Sequence, residues 1–170
     1  MIYRQNFNKK LIIATLLALT LFSLSGHAKD IAGKPQAPAW QLKTQSGDAI
    51  TSAQFAGQAT ILHFWATWCP YCKKLQPKLV ELEKKYQQQG VRIVAISFNE
   101  DDGAMPKDEL ATRGYSFPTA VNGDNVARLY GVSGTPTTFF INKSNQVVFK
   151  STSSDTSDPR LELAVKEIAK

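Results

Sequence analysis

The chain has two cysteines, Cys69 and Cys72, three residues apart in the segment WCPYC. Two thiols at this spacing can close into a disulfide and open again, so the pair could exchange disulfides with other proteins. A structural zinc site needs about four ligands, and beyond residue 28 the only histidine is His63. A purely structural disulfide would stabilise the fold weakly, because so short a loop removes little chain entropy. The pattern therefore favours a redox-active pair.

The first 28 residues have the three-part pattern of a secretory signal peptide. Basic residues precede the apolar run Leu11–Leu24, and small residues flank His27. The run is shorter than the roughly 20 residues of a membrane-spanning helix, which favours cleavage after Ala28 over a retained membrane anchor. We therefore expect residues 1–28 to be a signal peptide and residues 29–170 to form one domain that works in the periplasm.

The charge balance does not indicate a nucleic-acid-binding protein. The chain holds 20 Lys and Arg against 14 Asp and Glu, a formal net charge of +6. Three of the basic residues and none of the acidic ones lie in the first 28 residues, so 17 against 14 remain after cleavage, a net charge of +3. The remaining basic residues form no patch along the sequence, so no nucleic-acid partner is expected.

The segments around the cysteines predict a strand, a helix and a second strand. Thr60–Trp65 is β-branched and aromatic, apolar residues recur at helical spacing over Leu75–Tyr86, and Val91–Phe98 is apolar again. This order is a βαβ unit with a parallel strand pair. Cys69 then lies at the helix N-terminus, where free amides favour the thiolate. Cys69 is therefore the predicted nucleophile, and Cys72 the residue that resolves the mixed disulfide.

The rest of the chain predicts a mixed sheet flanked by helices, an α/β fold. Turn residues, apolar periodicity and capping residues indicate the elements. In chain order they are a hairpin over 40–51, a helical turn over 52–55, helices over 105–113 and 124–130, a short segment over 118–121, an antiparallel hairpin over 137–152, and a last helix that begins after Asp158 at Pro159.

Beyond the cysteine pair, the sequence resembles the thioredoxin superfamily, and more narrowly its exported TlpA/ResA/CcmG-like group. Phe64–Cys72 (FWATWCPYC) looks like the family's active-site strand and turn, and Pro77 matches the proline that kinks the following helix. Gly134–Thr137 (GTPT) is similar to the cis-proline loop. The resemblance implies a thioredoxin fold in which Pro136 is cis and Thr135 presents its backbone to an extended substrate.

The same resemblance assigns the two segments outside the thioredoxin core. Residues 40–51 are similar to the group's N-terminal hairpin extension, and Asn99–Asn125 looks like its insertion before the cis-proline loop. The resemblance to this group also implies a reductase of exported proteins, for example of cytochrome c or metal-site cysteines. No cofactor is expected, and a membrane electron donor of DsbD type is implied.

Some residues near the cysteines depart from the family pattern. His63 stands where thioredoxins usually carry an acidic residue, and it could either relay a proton to Cys72 or be a hydrogen-bonded core histidine. Leu75 stands where ResA-like members often carry Glu, and Glu100, at the end of the second strand, is another candidate acid.

The exposed part of the predicted site is aromatic. Trp68 is expected to flank a substrate groove, and Tyr71 to be exposed between the cysteines. The Pro70-Tyr71 spacer is similar to that of glutaredoxins, which suggests a less reducing pair.

Three alternatives to a reductase can be stated. A disulfide oxidase or isomerase of the same fold would use the same cysteines. A non-catalytic protein could bind copper or a client through them. A peroxiredoxin is disfavoured, because Ala66 stands where such an enzyme would need Thr or Ser.

Overall fold

The computed structural model describes residues 33–170, in which seven strands form one mixed sheet. In chain order the strands are β1 (Gln41–Thr44), β2 (Ala49–Thr51), β3 (Ala59–Trp65), β4 (Val91–Ser97), β5 (Thr119–Val121), β6 (Thr137–Ile141) and β7 (Val147–Ser151). Across the sheet their order is β2-β1-β5-β4-β3-β6-β7. The predicted signal peptide, residues 1–28, lies outside the described residues.

Within residues 33–170, four α-helices accompany the sheet. They are α1 (Pro70–Tyr86), α2 (Pro106–Thr112), α3 (Asp124–Leu129) and α4 (Pro159–Ile168). β4 pairs in parallel with β3 and β5, and the other neighbouring strands are antiparallel. The predicted thioredoxin fold, with its mixed sheet and flanking helices, is therefore confirmed.

The N-terminal hairpin and the insertion extend the sheet together. β1 pairs with β2 on one side and, antiparallel, with β5 on the other. β5 belongs to the insertion and joins β4 through Ala95 and Thr119. The two segments outside the thioredoxin core are thus joined to each other as well as to it.

Every residue of β3 is buried, because helices or loops cover both faces of the sheet. Ile61 lies in one apolar cluster, formed with residues of α1 and α4 such as Leu79 and Val165. Leu62 lies in a second cluster, which contains residues of α3 and the N-terminal hairpin. The strand that leads to the cysteines is therefore held rigidly on both sides.

The helix after β3 begins two residues before Cys72. Cys69 is its N-cap in an extended conformation, and Pro70 occupies the first turn, where its missing N–H costs no hydrogen bond. The helix continues past Pro77 to Tyr86, and a 3₁₀ turn then ends at Gly90 in a left-handed conformation (φ 84°). Because the helix begins at Pro70, Cys69 lies at the positive end of the helix dipole.

Asp158 caps α4, and its replacement by alanine is expected to destabilise the protein by about 1 kcal/mol. Its Oδ1 accepts a hydrogen bond from the backbone N–H of Arg160 at 2.9 Å. Urea unfolding measures the change, with Asp102→Ala, an exposed loop aspartate, as the control. Equal losses in the two variants would contradict a capping role.

Candidate redox site

Cys69 and Cys72 form a disulfide across the first turn of α1, with their Cα atoms 5.3 Å apart. The Cys69 sulfur accepts a hydrogen bond from the backbone N–H of Cys72 at 3.0 Å. In the reduced protein the same amide, together with the helix dipole, would stabilise a thiolate at Cys69. The arrangement supports the prediction that Cys69 is the nucleophile.

The disulfide is almost completely covered. Cys69 is 1% exposed and Cys72 is fully buried, in a cluster with Trp65 and Leu110. Its exposed neighbours are aromatic, since Trp68 is 47% and Tyr71 62% exposed. Trp65 is a core residue, whereas Trp68 and Tyr71 are exposed beside the disulfide. These positions agree with those expected from the sequence.

A groove of about 310 Å³ extends from Trp68 to the cis-proline loop. The Thr135–Pro136 bond is cis, as the resemblance implied. Trp68 Nε1 donates a hydrogen bond to the backbone oxygen of Asn99 at 2.7 Å. The backbone N–H of Asn99 in turn donates to Oδ1 of Asp124 at 3.0 Å. These bonds hold the Trp68 indole as one wall of the groove.

Sequence reasoning missed Asn99 and Asp124 as groove residues. Asn99 has a positive φ of 52°, a conformation that asparagine adopts more readily than most residues. An asparagine directly after a buried strand was therefore a usable sign of a turn. Asp124 lies at the start of α3 and carried no comparable sign.

Glu100 holds the turn that precedes Cys69. Its two carboxylate oxygens each accept from the backbone N–H of Thr67 at 3.0 Å, and Oε2 also accepts from the Thr67 hydroxyl at 2.6 Å. The Ser97 hydroxyl donates to Oε1. The carboxylate thus links the end of β4 to the active-site turn. An acid role for Glu100 in catalysis stays a prediction.

Replacing Glu100 by alanine is expected to lower the free energy of unfolding by about 2 kcal/mol, because two hydroxyls and an amide lose their charged acceptor. Urea unfolding measures this loss. The control is Glu81→Ala, whose exposed carboxylate pairs with Lys78 and should contribute below about 1 kcal/mol. Equal losses in the two variants would contradict a special role for Glu100.

His63 lies fully buried in the middle of β3. Its Nδ1 is 3.0 Å from the hydroxyl of Thr138 on β6, and its Nε2 has no hydrogen-bond partner among residues 33–170. Burial lowers the pKa of His63 to about 3, so the imidazole is neutral at neutral pH. The contacts favour a core histidine over a proton relay to Cys72.

The part of the chain that the structure describes holds no group of three or more His, Cys, Asp or Glu residues arranged to bind a metal ion. Over the same residues, no helix is both long and apolar enough to cross a membrane.

Comparison with known proteins decides the family. A family model described as AhpC/TSA matches residues 34–150. The chain belongs to the AhpC/TSA family. This member is 34% identical over 141 residues to thiol-disulfide oxidoreductase ResA of Bacillus cereus, covering 81% of this chain and 80% of that protein. It is 33% identical over 140 residues to ResA of Bacillus subtilis, covering 81% and 78%.

A solved structure of another thiol–disulfide exchange protein is also similar to this AhpC/TSA-family chain. A putative thiol:disulfide interchange protein DsbE from Chlorobium tepidum superimposes with a TM-score of 0.73 at 27% identity, covering 81% of this chain and 97% of that one. With the Cys69–Cys72 disulfide, these relatives show that the protein is a thiol–disulfide oxidoreductase of the thioredoxin superfamily. Its substrates are proteins that carry disulfides.

Proposed function

We propose that this oxidoreductase is a periplasmic reductase of disulfides in exported proteins. The observation that carries the proposal is the position of Cys69, whose sulfur faces the amide of Cys72 at the N-terminus of α1. A thiolate formed there can attack at neutral pH. The relatives named thiol-disulfide oxidoreductase ResA support thiol–disulfide exchange at this pair.

The reaction follows from the two sulfurs. The Cys69 thiolate attacks a substrate disulfide, a mixed disulfide forms, and one substrate thiolate leaves and takes a proton. The Cys72 thiolate then attacks the Cys69 sulfur, the second substrate thiolate leaves, and the Cys69–Cys72 disulfide forms. The substrate has gained two electrons and the enzyme has lost two.

The enzyme must be reduced again after each cycle. The predicted signal peptide, residues 1–28, supports export, and an exported enzyme needs electrons from across the membrane. We therefore assign a membrane dithiol donor of DsbD type as one partner. Cysteines of apocytochrome c or of metal sites are the proposed substrates.

The reduction potential separates this proposal from a disulfide oxidase or isomerase. Equilibration with glutathione measures it. A potential near that of thioredoxin, about −270 mV, supports a reductase, whereas one near that of DsbA, about −120 mV, would overturn it.

Trapping identifies the partners. In Cys72→Ala the mixed disulfide on Cys69 cannot be resolved, so covalent complexes should accumulate in the cell envelope. The control is the double variant Cys69→Ala/Cys72→Ala, which should trap nothing. Capture of cytochrome or metal-site proteins and of a membrane dithiol protein is the expected result. Capture of only unrelated exported proteins would contradict the assigned substrates and donor.

A further inference from the structure

The hydrogen bonding of α1 is interrupted just after the cysteines. Pro77 has no N–H, so the carbonyl of Lys73, four residues earlier, lacks its helical donor. Arg113, which follows α2 in the insertion, supplies one, since its Nη2 donates to the Lys73 oxygen at 2.7 Å. Its Nη1 donates to Oε1 of Gln76. A guanidinium from the insertion therefore closes the open turn next to Cys72.

Other insertion residues contact the same turn. Lys73 Nζ is 2.7 Å from Oε1 of Glu109 on α2. Leu110 is buried in the cluster that contains both cysteines, and Tyr115 packs against that cluster. The Arg113 guanidinium lies 5.2 Å from the centre of the Tyr115 ring. These contacts fix the position of Arg113 relative to the redox helix.

Gln76 lies one helical turn after Cys72, on the same face, and is fully buried. A guanidinium only donates hydrogen bonds, so Gln76 must turn its oxygen to Arg113 and its amide nitrogen away. That nitrogen, Nε2, has no hydrogen-bond partner among the described residues. Because helical side chains lean toward the N-terminus, the Gln76 side chain covers the turn that holds Cys72.

We propose that Arg113 is a positioning residue for the redox reaction: it closes the open turn of α1 and orients Gln76 to donate a hydrogen bond to the Cys72 sulfur in the reduced protein. A buried thiolate needs such donors, because it has lost water. In the resolving step the Cys72 thiolate attacks the Cys69 sulfur, the new disulfide forms, and the substrate sulfur leaves and takes a proton. The inference holds for either direction of the reaction.

The test compares Arg113→Met and Gln76→Met with Arg113→Lys and with the control Arg92→Met. Arg92 donates to the backbone oxygens of Gln87 and Val91 beyond the far end of α1, so its loss leaves the cysteines untouched. In both methionine variants the equilibrium constant for reduction by glutathione should fall about threefold to tenfold. The pH profile of insulin reduction should move to higher pH. R113K should lie between wild type and R113M, and R92M should match wild type.

A purely structural role for Arg113 predicts a different result. R113M would then lose thermal stability while its glutathione equilibrium and pH profile stayed at the wild-type values, and that result would overturn the proposal. If R113M does not fold, Gln76→Met decides, because its methionine fills a similar volume without a donor. If the equilibrium constant for reduction of Q76M by glutathione equals that of wild type, the proposal is likewise overturned. Neither outcome affects the assignment of Cys69 as nucleophile, which its own variants test.

Discussion

Replacing Cys69 by alanine should lower the rate of insulin-disulfide reduction by at least about 10³-fold, because the attacking thiolate is the essential group. The only other cysteine, Cys72, is fully buried and lies inside α1 rather than at its N-cap. Turnover of insulin by the reduced protein measures the loss.

The control for this variant is Cys72→Ala, which keeps the nucleophile. It should form a mixed disulfide with insulin that mass spectrometry detects, although its turnover is also lost. Wild-type turnover in C69A would refute enzymatic use of the pair and favour a binding protein. A mixed disulfide on C69A, with none on C72A, would reverse the two roles.

The second large effect is a loss of stability in acid caused by His63. Burial holds its folded pKa at about 3, below the ordinary value of 6.5, so the unfolded chain takes up a proton first as pH falls. The free energy of unfolding therefore falls between pH 6.5 and pH 3, by up to about 1.4 kcal/mol per pH unit. Well above pH 6.5 the histidine is neutral in the folded and the unfolded state, so its contribution is constant. From pH 6.5 to 4.5 the expected loss is about 2 to 3 kcal/mol.

Urea unfolding of the oxidised protein at pH 7 and 4.5 tests this, with His63→Gln as the variant that cannot titrate. Comparing each protein with itself at two pH values removes the intrinsic cost of the substitution. Carboxylates such as Glu162, whose pKa is lowered to about 2 by hydrogen bonds from Lys85 and Tyr86, lose their stabilising charge mainly below pH 4.5. An equal drop in both proteins would show that His63 does not cause the loss.

Local patterns predicted most of the fold. The apolar spacing in Leu75–Tyr86 predicts a helix because its side chains must share one buried face, and the structure has that helix. The hairpins follow from short turns between β-type segments, and both are present. The pairing of the N-terminal hairpin with β5 could not be predicted, since a three-residue strand has too little pattern to specify its neighbour.

At the redox site the sequence by itself determined the chemistry. Two cysteines one turn apart, shortly after a buried strand and at the start of a helix, predict a thiolate at Cys69 and a resolving thiol at Cys72. These properties are local, because they depend on spacing and on helix geometry over a few residues.

Only the tertiary structure decided what surrounds the sulfurs. Glu100 accepts a hydrogen bond from Thr67, which lies 33 residues earlier in the chain. Arg113 donates one to the backbone oxygen of Lys73, which lies 40 residues earlier. His63 is neutral because strands and helices bury it on every side. Such contacts depend on how the insertion and the sheet pack together. A change of a few ångströms in that packing would alter these contacts without changing any local sequence pattern. The local sequence therefore predicts the reaction of the cysteines, whereas the tertiary packing decides which groups surround them.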